Sequence, residues 1–254
     1  MTCWVLLRGL TREARHWGEL PGRLGSGLPD ARVRALDLPG NGARWRQRSP
    51  TSIGPMMEAS RATLKSAGAD PPYVLVGMSL GAMAAMAWAA AHPDEVIGVV
   101  LINTSGRALS PWFRRLRWQR LPMLLRILAT RDRLARERLV LRLTSRHPPQ
   151  PVAPLIESWA VWSREHPVSV ANAFRQLLAA ARFSGARPPT QVPVLVLAAA
   201  QDALVDPACS LALARAWGAA LRLHPTAGHD LPLDDSGWVA AQIASWWPNA
   251  RPQA

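Results

Sequence analysis

Apolar residues along this chain fall into short β-branched or Leu-rich runs separated by longer stretches of helical spacing. Residues 4–8, 33–38, 73–76, 96–102, 194–198 and 221–224 read as strands. Between them the spacing predicts helices over 11–20, with Thr11 as N-cap, over 55–67, with Pro55 in the first turn, and over 80–91, 206–217 and 237–246. About six strands alternating with helices predict an α/β fold built on a mainly parallel sheet covered on both faces. The alternation breaks between Pro111 and Phe183, where helical segments rich in Leu and Arg are interrupted by Pro148, Pro149 and Pro151. This divides the chain into a first part of an α/β core over 1–104, an Arg-rich helical cap over 105–190 and a second part of the core over 191–254. The insert is expected over the carboxyl edge of the sheet, where open α/β folds bind ligands.

Composition narrows the class. Of 254 residues 49% are apolar and the mean hydropathy is −0.00, enough for a sizeable core and unlike a disordered chain. The two cysteines, Cys3 and Cys209, lie far apart and have no metal-type spacing, so neither a disulfide framework nor a zinc site is expected. Trp4 to Leu7 is too short for the apolar part of a signal peptide, and no run is long enough to span a bilayer. The Ala-rich stretch 81–91, which contains Trp88, reads as a buried helix. A cytoplasmic protein is expected. The tail Arg251–Ala254 is expected to be loose.

The formal net charge is +13, and almost all of the excess lies in the insert. Residues 105–190 hold 16 arginines against Asp132, Glu137, Glu157 and Glu165. Three readings stay open for this face: a solvated surface in an Arg-favouring protein, recognition of an anionic acyl substrate, or peripheral contact with an anionic membrane through Trp112, Phe113, Trp118 and the neighbouring leucines. Nucleic acid is not an expected partner, since no recognised binding module is present. The oligomeric state is not legible.

The candidate chemistry starts at Gly77-Met78-Ser79-Leu80-Gly81, a G-x-S-x-G motif between a strand and a helix. Such a turn needs small flanking residues and lifts the serine hydroxyl above the sheet edge. A serine needs a base, and His229 follows the last short strand in Gly228-His229-Asp230. His16, His92, His147, His166 and His224 are assigned to surface or helix-cap positions. The histidine in turn needs an acid. Asp202 lies just past the strand 194–198 and is preferred to Asp206, which precedes Pro207 and reads as a helix N-cap. The backbone N–H groups of Leu80 and of Leu10, in the loop after the first strand, are the proposed oxyanion donors.

With these pieces in chain order, the sequence resembles the α/β-hydrolase superfamily in its small, capped, esterase-like branch. The matching segments are Arg8-Gly9, Asp37-Leu38-Pro39-Gly40-Asn41-Gly42, the Ser79 pentapeptide, Ala91-His92-Pro93, Gln201-Asp202 and Gly228-His229. The resemblance implies a Ser79–His229–Asp202 triad, an acyl-enzyme and a sheet beginning at the third strand of the usual eight. It implies nothing about a particular substrate. The departure is Arg8, where relatives carry histidine. A permanent cation there either braces the loop through a carboxylate or main-chain carbonyls, or contacts an anionic group of the substrate.

The expected activity is therefore hydrolysis of a carboxylic ester or thioester of a small acyl substrate, with no metal or organic cofactor. Two alternatives remain: the same triad used for another acyl transfer or for a carbon–carbon bond, and a non-catalytic binding protein that keeps the fold.

Overall fold

Six runs form strands: β1 Thr2–Leu7, β2 Ala31–Leu36, β3 Tyr73–Met78, β4 Val96–Ile102, β5 Val194–Ala199 and β6 Ala220–His224. The computed structural model describes residues 2–28 and 30–250, so the tail 251–254 lies outside the described residues. The strands join one sheet in the order β2-β1-β3-β4-β5-β6, and every neighbouring pair is parallel. Central β3 and β4 are buried on both faces, as their continuous apolar runs require. At the edge, β2 half-buries Ala31, Val33 and Ala35 and turns Arg32 and Arg34 outward, which keeps an open sheet edge from pairing with another chain.

The strand period of two divides the core. Val5, Leu7 and Leu75 face helices α2 (Ile53–Ser66) and α3 (Leu80–Ala91). Trp4, Leu6, Val74 and Val76 face α1 (Leu20–Gly27) and α11 (Ser236–Ala250). There Trp4 meets Trp247 edge to face at 5.2 Å between ring centres. Helix α3 is buried almost all round; its alanines and glycine let it lie close against the sheet.

Between β4 and β5 lie α4 (Trp112–Arg115), α5 (Leu121–Ala129), α6 (Arg133–Thr144), α7 (Val152–Glu165) and α8 (Val170–Arg182). Helices α6 and α7 close a small core of Leu141, Ile156 and Trp159. The predicted helix over 11–20 is not present. Thr11 has φ +56° and gives its N–H to Gln176 Oε1 of α8 at 2.9 Å, so it cannot act as a cap. A single 3₁₀ turn, Ala14–Trp17, stops at Gly18 (φ +56°), and α1 begins afresh with Pro21 in its first turn. This irregular segment fastens the insert to the core. Arg12 pairs with Glu137 of α6 at 2.8 Å and stacks on Trp159 at 4.4 Å, and Arg15 reaches Glu165 at 2.6 Å and Trp162 at 5.1 Å. His16, expected at a surface or helix-cap position, takes the Glu13 N–H at the start of the 3₁₀ turn at 3.2 Å and is buried between Trp159 and Trp162. Burial, reinforced by the charges of Arg12 and Arg8, holds its imidazole well below the usual histidine range.

Candidate active site

The strand order reverses between β1 and β3, so the connections that leave these two strands diverge and open a crevice at their carboxyl ends. Ser79 sits there. Its φ of 52° lies in the left-handed region, a conformation that costs a non-glycine residue roughly 1–3 kcal/mol and persists only where the surroundings enforce it. They do: the Ser79 N–H bonds to Ile102 O at 2.8 Å, and the hydroxyl of Thr104 bonds to Ser79 O at 3.0 Å. The flanking glycines are required by contact. A Cβ on Gly81 would collide with the Leu7 carbonyl, and one on Gly77 with the backbone of Ala82.

His229 lies on the loop between β6 and α10 (Leu231–Asp234). Its Nδ1 is 2.7 Å from Asp202 Oδ2, and both side chains are buried. The other Asp202 oxygen accepts the N–H groups of Leu204 and Val205 at 2.8 and 2.9 Å, so the carboxylate cannot turn away. Asp206 accepts the Ala208 N–H at the start of α9 (Ala208–Trp217) and stays away from His229. Burial pushes the His229 imidazole pKa down, but the charge and hydrogen bond of Asp202 outweigh it. With a further contribution from Asp230, and against the opposing charge of Arg8, the net displacement is upward. Nδ1 bound to a carboxylate leaves Nε2 as the free ring nitrogen. Ser79 and His229 line one cavity, although no hydrogen bond within 3.5 Å joins them.

The loop Arg8-Gly9-Leu10 crosses beside the serine: a Cβ on Gly9 would lie 3.3 Å from Ser79 Cβ. Among the described residues neither Leu10 N–H nor Leu80 N–H, the first of α3, donates to a main-chain carbonyl. Arg8 itself is buried and makes a two-pronged pair with Asp230, at 2.7 and 3.1 Å. It also donates to Met78 Sδ at 3.2 Å and lies 5.0 Å over Trp17. One side chain thus ties together the loop after β1, the residue before Ser79 and the residue after His229. Of the two roles open for Arg8, the pairing with a carboxylate is the contact a brace needs, and Arg8 also lines the cavity over Ser79.

Several supporting residues carried no sequence signal. Asn103, at φ +46°, donates to His229 O at 2.7 Å and accepts from Ala199 N–H at 2.9 Å. Asp234 accepts from Gly228 N–H at 2.7 Å and from Arg146 N–H at 2.9 Å, and Asp230 N–H bonds to Thr144 O at 2.7 Å. These bonds lock the histidine loop to the end of α6. Position-specific polar residues in loops have no periodicity, and Asn103 and Asp234 reach partners as far as 126 and 88 residues away.

Above Ser79 is a cavity of about 210 Å³ whose walls are mostly apolar, with Leu116, Leu124, Ile127 and Val140 from the insert and Leu204 from the core. Its two cations, Arg8 and Arg12, are each paired with a carboxylate. No group of His, Cys, Asp and Glu side chains among the described residues could hold a metal ion.

Comparison with known proteins extends this picture. The lipase LipV of Mycobacterium tuberculosis is 38% identical over 99 residues, which is 39% of this chain and 36% of that protein. The pimeloyl-acyl-carrier-protein methyl ester esterase of Chromobacterium violaceum is 42% identical over 76 residues, 30% of this chain and 27% of that protein. These matches thus span about a third of the relatives' length. A thermophilic esterase from Thermogutta terrifontis superposes with a TM-score of 0.69 at 20% identity, over 99% of this chain and 91% of that chain, a likeness of fold. The model of the alpha/beta hydrolase family matches residues 4–242, nearly the whole chain, and this protein is therefore a member of that family.

Proposed function

We propose that this protein hydrolyses a carboxylic ester or thioester of an apolar acyl group through an acyl-Ser79 intermediate. The observation that carries the reading is the buried Asp202–His229 pair at 2.7 Å, sharing one cavity with a serine held at φ 52°. Ser79 Oγ attacks the acyl carbon while His229 Nε2 takes its proton. Asp202 keeps the other proton on Nδ1 and stabilises the imidazolium. Negative charge on the carbonyl oxygen falls between the N–H groups of Leu10 and Leu80; removing one such donor costs about 2.7–4 kcal/mol in the transition state. The intermediate collapses, and Nε2 returns the proton to the departing alcohol or thiol. Water then attacks the acyl-enzyme by the same route in reverse and releases the acid and the free serine. The scheme requires no metal or organic cofactor.

Catalytic hydrogen bonds commonly tighten only around substrate, so the reading rests on the shared cavity and not on a Ser79–His229 hydrogen bond. The apolar cavity wall and the internal pairing of Arg8 and Arg12 favour an uncharged acyl chain over an anionic one. The lipase and esterase among the relatives agree with ester chemistry.

The test compares wild type and Ser79→Ala on p-nitrophenyl esters of graded chain length, on acyl thioesters and with a fluorophosphonate label. Turnover and labelling are expected in wild type and lost in the variant. Activity and labelling that survive Ser79→Ala would remove Ser79 as nucleophile. A wild-type protein that neither turns over nor labels would favour a binding role for the fold.

A further inference from the structure

Two helices of the insert turn their apolar sides away from the core. Helix α5 is largely Leu, Ile and Met, yet none of its residues is buried. Leu121, Leu125 and Leu128 share one face, three and four residues apart, and Leu125 is 65% exposed. Helix α8 buries Asn172 and Gln176 beside the small Ala179 and leaves its large apolar residues outside, because Gln176 bonds to Asn41, Ser49 and the Thr11 N–H and Asn172 bonds to Gln47 and Ser49. That rotation leaves Phe174 58% exposed, with Leu177 and Leu178 beside it. Just before α5, Trp112 and Trp118 are 70% and 55% exposed. Leu128, Phe174 and Leu177 are exposed and also line the cavity over Ser79, so the apolar surface runs without a break into the site.

The charge beside this surface is of one sign. From Arg107 to Arg131 the chain carries seven arginines and no acidic residue. Arg107, Arg114, Arg126 and Arg131 are exposed, and none of them forms a salt bridge among the described residues.

We propose that this face, α4, α5 and the outer side of α8, docks on an anionic lipid surface with the cavity mouth towards the bilayer. Tryptophan, phenylalanine and leucine enter the boundary between headgroups and acyl chains while the arginines meet lipid phosphates, the arrangement of interfacial amphipathic helices. A second copy of this chain is a poor occupant, because it would set like charges against each other. An acidic protein would satisfy the arginines and leave the two tryptophans and Leu125 without an apolar partner. Docking places apolar acyl chains next to Phe174 and Leu128 with no polar rim to cross.

The experiment uses the full chain carrying Ser79→Ala, so that binding is read without turnover and independently of the hydrolase reading. Co-sedimentation is measured with vesicles of phosphatidylcholine alone and of phosphatidylcholine mixed equally with phosphatidylglycerol, at low and high salt. Strong binding to the mixed vesicles is expected, weakened by salt, with much less binding to phosphatidylcholine. Arg114→Glu/Arg126→Glu should lower the partition coefficient by at least about tenfold. Trp112→Ser/Trp118→Ser should lower binding in high salt as well, with the unfolding midpoint of both variants unchanged. No salt-sensitive binding to the mixed vesicles overturns the proposal. So does a stable dimer lost in either variant, or saturable binding to an acidic carrier protein in the absence of vesicle binding.

Discussion

Replacing Arg8 by methionine is the sharpest test of how the site is held. Arg8 and Asp230 are 1% and 3% exposed, and their two contacts of 2.7 and 3.1 Å are made out of reach of solvent screening. Methionine retains an unbranched apolar stem beside Trp17 but leaves the Asp230 carboxylate buried without its cation. Breaking a buried pair from one side costs about 3–5 kcal/mol, whereas replacing both partners with apolar groups of similar volume is close to neutral. At roughly 2–4 °C per kcal/mol for a chain of this size, Arg8→Met should lower the unfolding midpoint by roughly 6–20 °C. Arg8→Met/Asp230→Leu should recover most of the loss. Urea unfolding followed by circular dichroism measures both, with the slope of the transition checked for constancy. Because Arg8 touches Met78 and the residue after His229, the single change should lower kcat more than it raises KM. A single variant that loses less than about 1 kcal/mol would refute the brace. So would a double variant whose loss equals the sum of the two singles. A rise in KM alone would return Arg8 to the role of a substrate contact.

Three further outcomes follow from the geometry. His229 acts as a base only when neutral, and its pKa lies above the ordinary 6.5, so kcat/KM should fall as pH drops through a midpoint above that value. Asp230→Asn removes a charge that favours the imidazolium and leaves the opposing charge of Arg8, so the acid limb of the pH–rate profile should move to lower pH; an unmoved limb contradicts this. Asp202→Asn should reduce kcat by about 10³–10⁴-fold, since an amide selects the wrong tautomer of His229, while Asp206→Asn, which alters a helix start, should leave steady-state rates nearly unchanged. Gly81→Ala forces a Cβ against the carbonyls of Leu7 and Arg8; it should destabilise the protein by about 1–3 kcal/mol and depress esterase activity through the displaced Leu10 loop, seen together in a denaturation curve and a rate assay.

The strands needed nothing beyond the sequence. All six lie within two residues of the positions predicted for them: burial on both faces demands continuous Val, Leu and Ile in the central strands, and edge strand β2 alternates small or apolar residues with arginines. The serine turn was equally legible: glycines are forced at 77 and 81 by backbone contact, and only a few residue patterns satisfy such a turn. Asp202 and His229 were legible as the residues that follow strand ends, and their meeting at 2.7 Å depends on β5 and β6 being neighbours.

Tertiary structure alone decided the rest. The segment after β1 carries helical spacing, yet Gln176, 165 residues away, takes the Thr11 N–H and holds that residue at φ +56°. His16 looks like any solitary histidine until two tryptophans of α7 close on it. The partner of Arg8 is 222 residues distant, and either role for this cation was compatible with the sequence. The orientation of α8 was also out of reach. Periodicity marks an apolar side and a polar side, but hydrogen bonds between Asn172 and Gln176 and buried loop residues turned these two polar residues inward. Sequence therefore determined which residues build the sheet and carry the candidate chemistry. Long-range polar contacts, which have no period, determined how the loops are braced and which face of the insert meets the solvent.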